Sequence, residues 1–341
     1  MKRILILSPP LHSMGGMAKV AEKQIDIMES EYIIDHFSTG SNYFSQLVSF
    51  SRFIFKLLIS NFDVVHIHVA SGKSFYRKFI YATFSLLLSH ETILHVHGGK
   101  FALFSRRTLP KYLAKYLNKF KRIKWVFLSE KLASEVNLEF LSGKKPYIIP
   151  NFEVNRHVFT DMSVSVNLST NLCFVGRLVN EKGIKLLIEA VLRANSNLCK
   201  EYTLDIYGDG PLLERLKFEY EENKSLLFHG WVDSKDIPYH KYHLNCLPSL
   251  IEAMPLTIIE SMMTGTPTLA TKVGSIPDMI EVGKTGWLLQ SPPTIECIYN
   301  FFLMLDINKL ISVRSEVYKY YLFNYSSDQF ILNCNRLYDE N

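Results

Sequence analysis

The residues with the clearest chemical potential are two glutamates, Glu252 and Glu260, in the stretch Leu247-Pro-Ser-Leu-Ile-Glu-Ala-Met-Pro-Leu-Thr-Ile-Ile-Glu-Ser-Met-Met-Thr-Gly-Thr-Pro267. Proline suits the first helical position and glycine the position just past the end, so a short helix is expected from Pro255 to Gly265. Glu252 then lies in the loop before it and Glu260 inside it. At 1.5 Å of rise per residue, about 7.5 Å of helix separates Pro255 from Glu260. Between them lie the first-turn amides of Leu256 and Thr257, at the positive end of the helix dipole, where a phosphate can bind. Two carboxylates that accept hydroxyls on either side of an anion site suit a ligand with phosphate in its middle and a sugar at each end, the shape of a nucleotide-sugar. Spacing alone is equally served by two solvated helix glutamates.

Other candidates lie upstream. Arg177 and Lys182 sit between Gly176 and Gly183, in the loop after an expected strand Leu172–Val175. Arginine supplies a planar fork and lysine a compact charge, so the two converging on a helix N-terminus make a diphosphate clamp. Alone, they read as two solvated loop cations. Near the start, strand Ile4–Leu7 leads through Pro9-Pro10 to Gly15-Gly16 and a helix from Met17 to about Glu29. That βα turn can accept an anion, although it lacks the G-x-G-x-x-G spacing. His66, His68, His95 and His97 alternate along two short strands, Asp63–His68 and Thr92–Gly99. Alternation with no carboxylate or cysteine to complete a set is poor for zinc, so no metal and no cofactor is expected. Buried structural imidazoles are expected for His66 and His95. His97, beside Gly98-Gly99 at a strand's carboxyl end, is the functional candidate.

The elements that must position these groups alternate between strand and helix. Helical patterns are expected over Phe44–Ile59 and Phe75–Leu88, with further strands at Trp125–Ser129 and Tyr147–Pro150. Glu153–Asn171, rich in Ser, Thr, Val and Asn, reads as an interdomain linker. The second half repeats the scheme: strand Thr203–Tyr207 meets Gly208-Asp209-Gly-Pro211, strand Leu226–His229 meets Gly230-Trp231, and strands Asn245–Leu247, Thr268–Thr271 and Gly286–Leu289 follow. Such alternation implies parallel sheets, with ligands beyond the carboxyl ends of the strands.

Length and composition agree. The chain has 341 residues, 48% of them hydrophobic, enough for two domains with their own cores. Five scattered cysteines with no C-x-x-C pair indicate neither a disulfide framework nor a zinc ribbon and fit a reducing compartment. The first apolar run is four residues long before two prolines, too short for a signal peptide, and no stretch reaches the length of a membrane span. The net charge of +5 is unevenly divided: residues 1–165 carry 22 Lys+Arg against 12 Asp+Glu, residues 166–341 carry 16 against 21. A basic half facing an anionic partner is implied.

The runs GRLVNEKGIKLLIEA, YGDGPL, HGWV, EAMPLTIIESMMTGTPTLAT, VGSIPDMI and GKTGWLL, in this order, resemble the C-terminal domain of the group 1, or family 4, glycosyltransferases. The first half resembles them more loosely, through Gly15-Gly16, DVVHIH and HVHGG. The resemblance implies an α/β GT-B fold, two Rossmann-like parallel-sheet domains facing a central cleft. Residues 1–160 would form the acceptor-side domain, with a C-terminal helix at 326–341 packing back on it, and residues 161–325 the donor-binding domain. It further implies a retaining, metal-independent transfer of a hexose-type sugar from a UDP- or GDP-sugar to a glycan or polyprenyl-linked acceptor, in surface polysaccharide assembly on the cytoplasmic side of a bacterial inner membrane. Glu260 would hold the ribose hydroxyls, Glu252 a hydroxyl of the donor sugar, Arg177 and Lys182 the diphosphate, with Gly208, Asp209, Leu256 and Thr257 lining the donor. Gly15 and Gly16 would belong to a loop that approaches the diphosphate, and His97 would contact the transferred sugar. Ala253, Ser275 and Asp278 depart from residues common in the family, which leaves the donor open. A glycoside hydrolase with paired carboxylates and a non-catalytic nucleotide-sugar-binding subunit are the alternatives, and no nucleic acid is expected as a partner.

One further segment carries a partner. Lys100–Lys124 holds nine Lys+Arg and no acid. A helix over Leu109–Lys124 would place Leu109, Tyr112, Leu113, Tyr116, Leu117, Phe120 and Ile123 on one face and Lys111, Lys115, Lys119 and Arg122 on the other. Either this is a surface helix burying its apolar face, or its basic face docks on an anionic membrane.

Overall fold

The structure, a computed structural model, describes residues 1–13, 15–39, 43–155, 169–198 and 201–340. It divides into two compact units, Met1–Val154 with Ser327–Asn341, and Asn155–Ser326. Most of the expected linker lies at 156–168, outside the described residues, and its last residues, from Ser169, already belong to a strand.

The first unit is built on six parallel strands: β1 (Arg3–Ser8), β2 (Ile33–Ser38), β3 (Val64–Val69), β4 (Glu91–Val96), β5 (Ile123–Phe127) and β6 (Tyr147–Ile148). Their order is β2-β1-β3-β4-β5-β6, so the sheet reverses direction of growth between β1 and β3. All six residues of β3 are buried, as expected for a central parallel strand covered by helices on both faces. Edge strand β2 is absent from the sequence reading. Its residues are exposed or half-buried, so it lacks the continuous apolar run that marks its neighbours.

The basic helix is shorter than its periodicity suggests. It spans Thr108–Leu117, and the chain is back in β5 by Ile123. Asn118 ends it: its side chain accepts from Trp125 Nε1 (2.8 Å) and donates to the Phe140 carbonyl (2.8 Å). Nor is the apolar arc wholly buried. Leu117 and Ile123 are inside, but Leu109, Tyr112 and Tyr116 are exposed, Tyr112 by 66%.

The second unit has strands β7 (Ser169–Val175), β8 (Glu201–Tyr207), β9 (Leu226–Gly230), β10 (Leu244–Leu247), β11 (Thr268–Thr271) and β12 (Gly286–Leu289), in the order β12-β11-β10-β7-β8-β9. This is the doubly wound order, with its switch point between β7 and β10, the place where open α/β sheets take their ligands. Buried Arg314 ties loops below this sheet together by donating to the carbonyls of Tyr242 (2.9 Å) and His240 (3.0 Å). Among the described residues no helix is long and apolar enough to cross a membrane.

The C-terminal helix, Ser327–Asp339, belongs to the first unit. Phe330 stacks on Phe152 at 4.0 Å, Lys2 Nζ donates to the Tyr338 carbonyl (2.6 Å), and the Tyr338 hydroxyl enters the core beside His66. There a hydrogen-bond chain runs across the sheet, and one carbonyl sets its direction. Ile149 O can only accept, so His95 carries its proton on Nε2 (3.2 Å) and offers a lone pair on Nδ1. His66 must then donate from Nε2 to His95 Nδ1 (3.2 Å) and accept on Nδ1 from the Tyr338 hydroxyl (2.7 Å), which itself accepts from the Gln24 amide (3.1 Å). This pattern needs both rings neutral. Burial supplies that condition, pushing His95 down to about 4 and His66 well below its ordinary value.

Two outcomes follow for stability. Tyr338→Phe removes the hydroxyl donor from buried His66 Nδ1, leaving it only the Gln24 amide at 3.5 Å, and should cost about 1–3 kcal/mol, read from urea unfolding at pH 7.5. The histidines bind protons more weakly folded than unfolded, so stability is full above about pH 6.5 and is lost as pH falls towards 4, by up to about 1.4 kcal/mol per pH unit for each ring. His95→Gln should flatten that slope by about one proton, and an unchanged slope would contradict the assignment of a neutral His95.

Candidate functional site

In the second unit the loops that follow β7, β8, β10 and β11 are fastened to one another at their main chains. Gly176 N donates to Tyr207 O (3.0 Å), Leu178 N to Asp209 O (2.9 Å), Leu250 N to Glu181 O (2.8 Å) and Ser275 N to Ala253 O (2.7 Å). Glycines make these approaches possible, and the two closest show why. Gly183 is left-handed (φ 69°), and a Cβ there would fall 2.0 Å from Pro248 O; at Gly208 (φ 137°) it would fall 1.9 Å from Gly176 O. Substituting either would push the loops apart.

This fastening brings Lys182 and Glu252 together at the β7–β10 switch point. Lys182 Nζ is paired with Glu252 Oε1, and the same oxygen accepts from Ser249 Oγ (2.8 Å). The helix that follows spans Leu256–Met263, one residue later than expected: Pro255 stands in front of it with an extended backbone (φ −71°, ψ 125°). Leu256 and Thr257 form its first turn, whose amides have no intrahelical partner. Thr257 Oγ1, in that first turn, and Ser275 Oγ, in the loop after β11, are buried with no hydrogen-bond partner among the described residues. Buried hydroxyls in that condition, one of them in a helix's first turn, can donate to an anion held there by the free amides.

Glu260 is placed differently from Glu252. It is 4% exposed, one turn into the helix, and its Oε2 accepts from the hydroxyl of buried Tyr239 (2.9 Å). Asp209 is exposed and turns back on its own loop, Oδ1 accepting from Gly210 N (2.6 Å); Gly208 N donates to Gly230 O (2.7 Å). Arg177 is exposed and has no ion pair among the described residues. The structure therefore joins Lys182 to Glu252, seats Glu260 on Tyr239, and leaves Arg177 extended into solvent.

In the first unit Gly15 and Gly16 open the helix Gly16–Met28, with open space where side chains would be and no side chain capping the helix. His97 follows β4 and is half-buried. Its N–H donates to Val69 O (2.8 Å), and its Nε2 lies 2.8 Å from His68 Nδ1. Burial, and then the neighbouring His95, His66 and Lys78, hold His97 well below its ordinary value, so its ring is neutral near pH 7. His66, His68 and His95 place ring nitrogens within 4.8 Å of one another, close enough for a metal. These three ligands are neutral and buried, with Lys78 beside them, so a dication would find no compensating charge.

Several partners escaped sequence reasoning. Lys78 is 1% exposed, donates to His68 O (2.7 Å), and is lowered to about 7 by burial and by Arg77. A signal existed: Phe75, Lys78, Ala82 and Ser85 share the buried face of helix Lys73–Leu87, and a lysine there is out of place. Tyr239 and Ser249, which hold the two glutamates, carry no such mark.

Residues 169–298 match the family described as "Glycosyl transferases group 1". A protein of the cps region of Klebsiella pneumoniae is 32% identical over 121 residues, which cover 35% of this chain and 32% of that protein. The UDP-Gal:alpha-D-GlcNAc-diphosphoundecaprenol alpha-1,3-galactosyltransferase of Escherichia coli is 30% identical over 149 residues, 42% of this chain and 38% of that one. The matched stretch thus spans about a third of the length of these relatives. Over nearly the whole chain the backbone follows Anabaena Alr3699/HepE, solved with UDP, at a TM-score of 0.74 and 17% identity, with 99% of each chain covered. The chain has the GT-B fold, and its residues 169–298 are similar to the glycosyl transferases group 1 family.

Proposed function

We propose that the protein is a glycosyltransferase that moves a hexose-type sugar from a UDP- or GDP-sugar to a glycan or polyprenyl-linked acceptor, with retention of configuration and without a metal ion, in bacterial surface polysaccharide assembly on the cytoplasmic face of the inner membrane. The observation that carries this reading is the meeting of Lys182 and Glu252 beside the first turn of helix Leu256–Met263 at the β7–β10 switch point. An ammonium has three N–H donors, so Lys182 can keep Glu252 oriented and still reach a phosphate oxygen. Glu252 Oε1 is occupied by Lys182 and Ser249, which leaves Oε2 for a sugar hydroxyl. Glu260, deeper and steadied by Tyr239, takes the ribose. Arg177 swings onto the diphosphate, with Gly208 and Asp209 lining the donor, and Gly15, Gly16 and His97 are the further residues assigned to the donor.

Departure of the nucleoside diphosphate builds negative charge on a phosphate, so Lys182, Arg177 and the amides of Leu256 and Thr257 stabilise the transition state directly. The departing phosphate takes the acceptor's proton on the same face, and no protein nucleophile is required. Retention is checked by the anomeric coupling of the product in proton NMR, and an inverted product would refute it. Support for the donor and acceptor classes comes from the galactosyltransferase, whose name specifies UDP-Gal and a diphosphoundecaprenol-linked sugar, and from the UDP held by the Anabaena protein.

Arg177→Ala and Lys182→Ala should each weaken nucleoside diphosphate binding by about 10- to 100-fold, the worth of one charged hydrogen bond, and lower turnover. Glu260→Ala should damage nucleotide affinity, whereas Glu252→Ala should spare it and lower transfer. Unchanged kinetics in the two cation variants would dismiss the clamp.

The acceptor side is read from the surface of the first unit. Leu109, Tyr112 and Tyr116 are exposed on helix Thr108–Leu117 together with Lys115, and Lys119 follows it. The neighbouring helix Lys73–Leu87 exposes Ile80, Phe84 and Leu87, and Phe79 meets Tyr116 at 6.1 Å between ring centres. Lys111 is tied to Glu139 (2.8 Å) and Arg122 to the Ser89 carbonyl, so Lys115 and Lys119 are the freer cations of the set. Exposed aromatic and aliphatic groups among cations suit an anionic bilayer surface, each nearby cation contributing about 1 kcal/mol. The protein should co-sediment with anionic but not neutral vesicles, and less so after Lys115→Gln with Lys119→Gln or after Tyr112→Ser. Equal binding to neutral vesicles, or none to anionic ones, would leave a soluble acceptor.

A further inference from the structure

His97 has one ring nitrogen engaged inside the protein and one left for a ligand, and the engaged one faces another histidine. Nε2 of His97 and Nδ1 of His68 are 2.8 Å apart, so one proton lies between them and two tautomer pairs are possible. If His97 donates, a neutral His68 must carry its own proton on Nε2, an atom buried with no hydrogen-bond partner among the described residues. That arrangement strands an N–H in the core. If His68 donates, its proton is used in the bond and Nε2 keeps only a lone pair. Orphaned buried N–H groups are rarer than under-used acceptors, so the second pair is the one the core favours. Stacking of the His68 ring against His66 (5.0 Å, 17°), itself fixed by the chain from Tyr338 to Ile149 O, holds the ring in place for that bond.

We infer that His68 is a positioning residue: it donates from Nδ1 to Nε2 of His97, so that His97 carries its proton on Nδ1 and presents an N–H, not a base, beyond the end of β4. For the transfer reaction this rests on the reading of His97 as a contact of the transferred sugar. On that reading the ring gives a hydrogen bond to a sugar oxygen and takes no proton from the acceptor.

The assignment is tested first without substrate. In full-length protein carrying 15N-histidine, long-range 15N–1H correlation should show the His97 signals, identified by their loss in His97→Asn, with Nδ1 protonated and Nε2 bare. A protonated Nε2 overturns the inference. His68→Asn keeps an N–H near the Nδ1 position and should preserve this tautomer, with kcat/KM within about threefold of wild type. His68→Asp offers only an acceptor and should move the His97 proton to Nε2, lowering kcat about 100-fold with little change in donor KM. Circular dichroism and nucleoside diphosphate binding confirm that each variant is folded. An unmoved tautomer in His68→Asp overturns the inference. A moved tautomer with unchanged kcat leaves the tautomer assignment standing and overturns instead the placement of His97 on the transferred sugar.

Discussion

The second unit depends on how closely two loops approach at the switch point of its sheet. Strands β7 and β10 are neighbours in space but 70 residues separate Lys182 from Glu252. Their loops meet only because Gly183 takes a left-handed turn against the Pro248 carbonyl, with no room for a side chain. From that contact the rest follows: Leu250 N reaches Glu181 O, Lys182 reaches Glu252, and helix Leu256–Met263 starts with its first amides beside both. A doubly wound sheet leaves a crevice at this place by topology. What the sequence adds is a cation, a carboxylate and unpaired hydroxyls around it.

The first unit solves a different problem, three histidines buried in two adjacent strands with a fourth, His97, just beyond the end of β4. Charged imidazoles there would be costly, and the structure keeps them neutral by giving each proton a direction. The carbonyl of Ile149 orders His95, His95 orders His66, and His66 is closed by Tyr338 from the C-terminal helix. This explains why the last 15 residues return to a unit whose other residues end at Val154. Lys78, held on the His68 carbonyl, belongs to the same buried polar cluster.

Most of the strands were legible because parallel strands covered on both faces read as short apolar runs. β2 was not, since an edge strand with half-buried residues has no such run. The basic helix was overextended because Phe120 and Ile123 continue a helical period by chance, whereas Asn118, bonded to Trp125 and the Phe140 carbonyl, ends it. In the site, charged groups were visible as motifs, but the residues that hold them were not. Tyr239 under Glu260 and Ser249 under Glu252 are fixed by contacts that nothing in their local pattern announces, and the alternation that marked His68 did not show its bond to His97 across neighbouring strands.

The central claim is that the β7–β10 crevice is a nucleoside diphosphate site that works without metal. Calorimetric titration of the purified protein with UDP, GDP and ADP in buffer containing EDTA tests it most directly. The account predicts saturable binding of UDP or GDP at one site, strengthened when the matching sugar is attached and undiminished by the chelator. No binding by any of the three, or binding that appears only when a divalent ion is restored, would contradict it; hydrolysis of simple glycosides in place of binding would assign the paired glutamates to a hydrolase.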